Sequence, residues 1–154
     1  MVIKELISKE EIEKIIPHSG LMCLNDSVLE WDEKSVLCKT QSHLKENNPL
    51  RKNNKLSSVH AIEYCAQAMA VHGGLLAREK GEQLAPGYLA AVRNVNLCYD
   101  YLDDINNDLF IATTQLMAQG GNLMYEFKMY FKEADIENIV TSGRATVIQM
   151  AEAD

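Results

Sequence analysis

Leu56–Ala77 reads LSSVHAIEYCAQAMAVHGGLLA, and this segment decides the fold. Its only formally charged residue is Glu63, and His60 stands three positions earlier. Small residues crowd it: Ala61, Ala66, Ala68, Ala70, Gly73, Gly74 and Ala77. With Ser57 or Ser58 as N-cap, the pattern predicts one helix from about Ser58 to Glu79. Apolar positions fall all round that helix, so it is expected to be buried all round, with neighbouring backbone close to its small residues.

Working outward, Ser8–Ile16 (SKEEIEKII) predicts a short helix, with Ser8 and Glu11 as a capping box and Pro17 as its stop. Leu21–Trp31 and Ser35–Gln41 carry strand-forming residues around an Asp32-Glu33-Lys34 turn, a hairpin pattern. Ser42–Lys55 is polar and is expected to stay out of the core. It holds the basic residues Lys45, Arg51, Lys52 and Lys55. After Gly81 and Pro86, four strands are expected: Gly87–Tyr101, Asp108–Ala118, Leu123–Lys132 and Ile139–Met150. In Leu123–Lys132 the odd positions Leu123, Tyr125, Phe127, Met129 and Phe131 form the core face. Gly120-Gly121 marks a two-residue hairpin turn. About six strands and one long helix define an α+β domain spanning residues 1–154, its antiparallel sheet curled around the helix. One small sheet leaves an edge and a helix flank open, which predicts pairing into dimers.

Composition excludes several classes. The formal charge of −7 argues against a nucleic-acid binder that relies on overall attraction to phosphates. The longest charge-free run, Tyr64–Ala77, has 14 residues, short of the ~20 that cross a membrane. The charged N-terminal run MVIKELISKEEIEKII has no apolar signal core, so a cytoplasmic location is expected. Cys23, Cys38, Cys65 and Cys98 contain no CxxC pair, and no third ligand joins His60 and Glu63, so no metal site is expected.

The order IPHSGLMCLNDSVLEW, a loop with SH and NPLR, then IEYCAQAMAVHGG, GYLAAVRNV and SGRATV resembles the β-hydroxyacyl-[acyl carrier protein] dehydratases. The likeness is nearest to the dehydratase-like proteins of aryl polyene clusters. It implies the hotdog fold and an acyl-thioester substrate carried by acyl carrier protein in fatty acid, aryl polyene or polyketide-type biosynthesis. It implies no cofactor, and sites shared between two subunits, as a homodimer or with a related hotdog subunit. Glu63 matches the family's helix carboxylate, which helps the 3-hydroxyl leave. The family's loop histidine, which removes the α-proton, falls here on Pro49, and His43 is the nearest histidine in that loop.

The residues' own chemistry singles out Glu63, His60, Gln67 and the helix start, whereas His43 and the carrier-facing role of Arg51 rest on the resemblance. A carboxyl in apolar surroundings exchanges protons near neutral pH, or else makes a structural hydrogen bond. His60 and Gln67 share the Glu63 face. His60 or His43 would be the base, and Ser58 would present the free N–H groups of the helix start to a thioester oxygen. Arg51 would meet the pantetheine phosphate or an acidic carrier protein. His72 is expected as a core or interface histidine, and His18 in a structural role, with the pocket rim as the alternative. Thioester hydrolysis with Glu63 activating water is one alternative, and a non-catalytic subunit that binds carrier protein or pairs with an active dehydratase is another.

Overall fold

A computed structural model describes residues 6–150; the first five residues of the charged N-terminal run and the last four of the chain lie outside it. The chain starts with a two-residue strand, β1 (Ile7–Ser8), and helix α1 (Lys9–Ile15). Ser8 Oγ accepts the Glu11 N–H at 3.3 Å, as the capping pattern predicts. Ile12 on α1 is fully buried.

Strands β2 (Ser27–Trp31) and β3 (Ser35–Thr40) form the expected hairpin. Asp32 Oδ1 closes its turn by accepting the N–H groups of Lys34 and Ser35 at 2.8 and 2.7 Å. The predicted strand is shortened at its start, because Gly20–Met22 is a 3-10 turn. Gln67 causes this: its Oε1 accepts from Leu24 N at 2.9 Å and its Nε2 donates to Met22 O at 2.7 Å. These bonds occupy backbone groups that a sheet neighbour would otherwise take.

Helix α2 (Ala61–Glu79) follows a 3-10 turn at Ser58–His60. Four long strands then complete the sheet: β4 (Gly87–Leu97), β5 (Leu109–Gln119), β6 (Asn122–Glu133) and β7 (Ile136–Gln149). The strand order is β1-β2-β3-β5-β6-β7-β4, antiparallel at every pairing. The chain therefore leaves β3 in mid-sheet and re-enters at the far edge. Helix α2 makes that crossing and packs on β3, β5 and β6. Irregularities in the pairing of β2, β4, β5 and β6 are the local kinks that let a sheet curl. This is a hotdog fold, an open curled sheet around one helix. Gly120 and Gly121, at φ 59° and 83°, form the tight β5–β6 turn.

Two expectations fail. Helix α2 is not buried all round: Tyr64, Cys65, Ala68, Val71, His72 and Leu75 face the sheet, whereas Glu63 is exposed and Ala66, Ala70 and Gly73 are half-buried. One sheet covers one side of a helix. Helix α1 covers part of the rest at Gly74, where a Cβ would collide with Ile15 Cγ2. The polar segment also does enter the core, since Ser42, His43 and Asn48 are buried. Tyr64 brings two of them in: its hydroxyl lies 2.9 Å from Ser42 Oγ and accepts from Asn48 Nδ2 at 3.0 Å. A buried phenol without such partners would lose about 1–3 kcal/mol.

Candidate active site

The uncovered flank of α2 borders a cavity of about 720 Å³. Glu63, Ala66, Ala70 and Gly73 lie on its helix side, with Arg78 further along α2, and β4, β6 and β7 supply Leu89, Leu123, Tyr125 and Val147. Pro17 and His18 of the connector after α1 also line it. The walls are mostly apolar, and Glu63 is the acid that α2 presents to them. Helical spacing explains the placement, since residues 63, 66, 70 and 73 recur at three- and four-residue steps along one face.

The proposed histidine partners stand differently. His43 is fully buried in the turn after β3, outside the cavity lining. Its Nε2–H donates to the Ile105 carbonyl at 3.0 Å, which leaves Nδ1 as a lone pair sealed away from water without a partner. Burial holds its pKa below the ordinary value, against the Ile105 carbonyl that would raise it. His60 is half-buried at the start of α2 and is not among the cavity-lining residues. His18, for which the sequence left a structural role or the pocket rim, lines the same cavity as Glu63, with its Nδ1 buried and unpartnered.

The binding candidates are largely committed to the fold. Gln67 reaches the cavity wall, but both ends of its amide hold Met22 and Leu24. Ser58 is buried and its N–H donates to Asp100 O at 2.9 Å; the N–H groups of Val59 and His60 go to Ser57. The first turn therefore does not offer the free N–H groups expected of it. Arg51 donates to His43 O at 3.1 Å and lies 3.7 Å from Asp103, with its side chain only 11% exposed. Its guanidinium braces the loop instead of facing solvent. Lys55 pairs with Asp103 and Asp104, which leaves Lys45 and Lys52 as the exposed cations of that run.

Behind the cavity wall, Gln115 Nε2 donates to Tyr125 Oη at 3.2 Å, and Tyr125 Oη lies 2.9 Å from His72 Nδ1. His72 Nε2 lies 3.0 Å from the Asp32 carbonyl, which can only accept. The neutral ring therefore carries its proton on Nε2, and Tyr125 donates to Nδ1. Burial pushes the Tyr125 phenol up to about 12 and holds the His72 pKa down. His43 and His72 thus bind more protons unfolded than folded. Their contribution to stability is complete above the ordinary value of 6.5 and is lost as pH falls below it. Thermal melts from pH 8 to pH 5 are expected to show stability falling below about pH 6.5, by up to about 1.4 kcal/mol per pH unit for each extra proton. A His43→Gln/His72→Gln double variant should flatten that slope.

Among the described residues, no group of three or more His, Cys, Asp or Glu side chains is placed to hold a metal ion. None of their helices is long and apolar enough to cross a membrane. Cys23, Cys38 and Cys65 are buried free thiols, with Cys38 pushed up to about 12 by burial, so they behave as small hydrophobes; Cys98 is exposed.

A model of the ApeP-like family, described as ApeP dehydratase, matches residues 10–154. The chain belongs to this dehydratase family. Among solved structures, it is similar to the dehydratase heterocomplex ApeI:P from Xenorhabdus doucetiae, with a TM-score of 0.79 and 20% identity over 92% of this chain and 91% of that one. It is also similar to zebra fish thioesterase superfamily member 2, with a TM-score of 0.62 and 16% identity over 92% of this chain and 95% of that one. A hypothetical thioesterase from Streptococcus pneumoniae TIGR4, solved with coenzyme A, has a TM-score of 0.57 and 12% identity over 82% and 87%. At these identities the structural likeness establishes the hotdog fold of this family member. No curated protein sequence matches the chain significantly.

Proposed function

We propose that the chain is a subunit of a 3-hydroxyacyl-[acyl carrier protein] dehydratase, supplying Glu63 to a site completed by a second, related hotdog subunit. The observation that carries this reading is the position of Glu63, an exposed carboxyl on the open helix flank beside an apolar cavity. An imidazole removes the α-proton, the C2=C3 double bond forms, and Glu63 protonates the departing 3-hydroxyl, which leaves as water. The proton then returns from the imidazolium to the Glu63 carboxylate, and the only products are the enoyl thioester and water. With His43 sealed by Ile105 and the family's loop position occupied by Pro49, we assign the imidazole to the second subunit.

Strand β4 supports the shared site. It is an edge strand of 11 residues that, among the described residues, pairs only with β7, and Arg93 is its single charge. Tyr88, Leu89, Val92 and Leu97 on it are exposed. Such an edge is a template for another strand unless something covers it. The related structure from Xenorhabdus doucetiae is described as a heterocomplex, which favours a second, related subunit as that cover.

Product identity tests the proposal. A 3-hydroxyacyl thioester on carrier protein is incubated with this chain alone and with the chain co-purified with its hotdog partner. Mass spectrometry should show loss of water with the pair and no turnover with the chain alone. Release of a free thiol would instead establish the hydrolase, and carrier binding without turnover in either case would establish a non-catalytic subunit.

A further inference from the structure

We infer that Leu84 closes the apolar part of the cavity and sets the length of acyl chain the site accepts; this rests on the acyl-thioester reading of the cavity. Glu63 is the first residue of α2 along the cavity and Gly73 stands ten residues further on, a span of about 15 Å. An extended chain of single bonds advances about 1.2 Å per bond, a third of the advance of one extended residue, so the groove accommodates roughly a dozen atoms beyond the reacting carbon.

At Gly73 the groove meets the loop between α2 and β4, and beyond it the lining turns polar with Arg78, Glu82 and Gln83. Leu84 Cδ1 would lie 3.0 Å from a Cβ built on Gly73, so its isobutyl group rests directly on the glycine. Leu84 also lines the cavity. The loop holds it there at both ends. Helix α2 terminates with Gly81 at φ +71°, the Glu82 N–H bonded to Ala77 O at 2.9 Å and the Gly81 N–H to Arg78 O at 3.0 Å. This is the glycine-terminated cap that turns a chain back beside its helix. At the other end, Pro86 O accepts the Met150 N–H at 2.7 Å. Between these anchors, Leu84 is the one large aliphatic side chain among Glu82, Gln83, Ala85 and Pro86. Its removal would extend the groove toward the loop backbone, and a larger side chain would shorten it.

The test compares Leu84→Ala, Leu84→Phe and the unaltered chain, each with its hotdog partner, on short, medium and long unbranched 3-hydroxyacyl thioesters. Leu84→Ala should raise the long-to-short ratio of kcat/KM by about tenfold or more, and Leu84→Phe should lower it by a similar factor. Thermal melts confirm that both variants fold. If both fold and the ratio is unchanged, or every chain length shifts by one common factor, the carrier arm rather than the acyl tail occupies this end and the inference falls. Glu63→Gln in the same assay separates the two readings: abolished dehydration with an unmoved length profile in the Leu84 variants would defeat only the assignment of Leu84.

Discussion

Replacing Glu63 with glutamine is expected to lower kcat for enoyl-thioester formation by about 10²–10⁴, the range over which a positioned proton donor or acceptor contributes. Glutamine keeps the length and shape of the side chain but has no proton to deliver to a departing hydroxyl. Because the Glu63 side chain is exposed and makes no ion pair or hydrogen bond among the described residues, its replacement should change stability by no more than about 0.5 kcal/mol. The expected signature is therefore a loss of turnover with an unchanged melting temperature, unchanged assembly with the hotdog partner and unchanged carrier-protein binding. His43→Gln should behave in the opposite way. His43 donates to the Ile105 carbonyl from a fully buried position, so its replacement acts on the fold before it acts on chemistry. Full turnover in Glu63→Gln would remove the carboxylate from the mechanism and leave the chain as a binding subunit.

The contrast between these two residues also marks what local sequence can reveal. Wherever a pattern is completed by near neighbours, the structure follows it. Ser8 caps α1, Asp32 closes the β2–β3 turn, the two glycines make the β5–β6 turn, and the odd positions of β6 face the core. Readings that depend on a distant partner fail. Leu21–Asp26 has strand-like composition, but Gln67, more than forty residues away, takes the backbone groups of Met22 and Leu24. His43 lies in a polar loop, and nothing local says that Ile105 will bury it. Arg51 has the chemistry of a phosphate ligand, yet Asp103 and the His43 carbonyl engage it. Glu63 is intermediate. Helical spacing places it on the face of Ala66, Ala70 and Gly73, but the sheet topology decides that this face is the uncovered one. His18 gave a signal only through its neighbours Ile16 and Pro17, since its approach to the cavity depends on how α1 crosses α2.

Introducing a glutamate at Val92 is expected to abolish dehydration by a different route. Val92 is 37% exposed on the edge strand and pairs in register with Ala145 of β7, so in the separate chain a carboxylate there meets water and costs little. In an assembly that continues the sheet across β4, the same carboxylate would be buried against another apolar edge without a partner. A buried charge left unpaired costs about 3–5 kcal/mol, which weakens association by roughly two to four orders of magnitude. Sedimentation or light scattering should then find the Val92→Glu chain folded but separate from its partner at micromolar concentration, with dehydration lost because the second subunit's imidazole no longer reaches Glu63. Excess partner should restore part of the rate in Val92→Glu and none in Glu63→Gln, since mass action repairs a weakened interface but not a missing proton donor. If Val92→Glu assembles normally and turns over at the unaltered rate, β4 is not the edge through which the site is completed, and the second subunit must bring its imidazole to Glu63 across another surface.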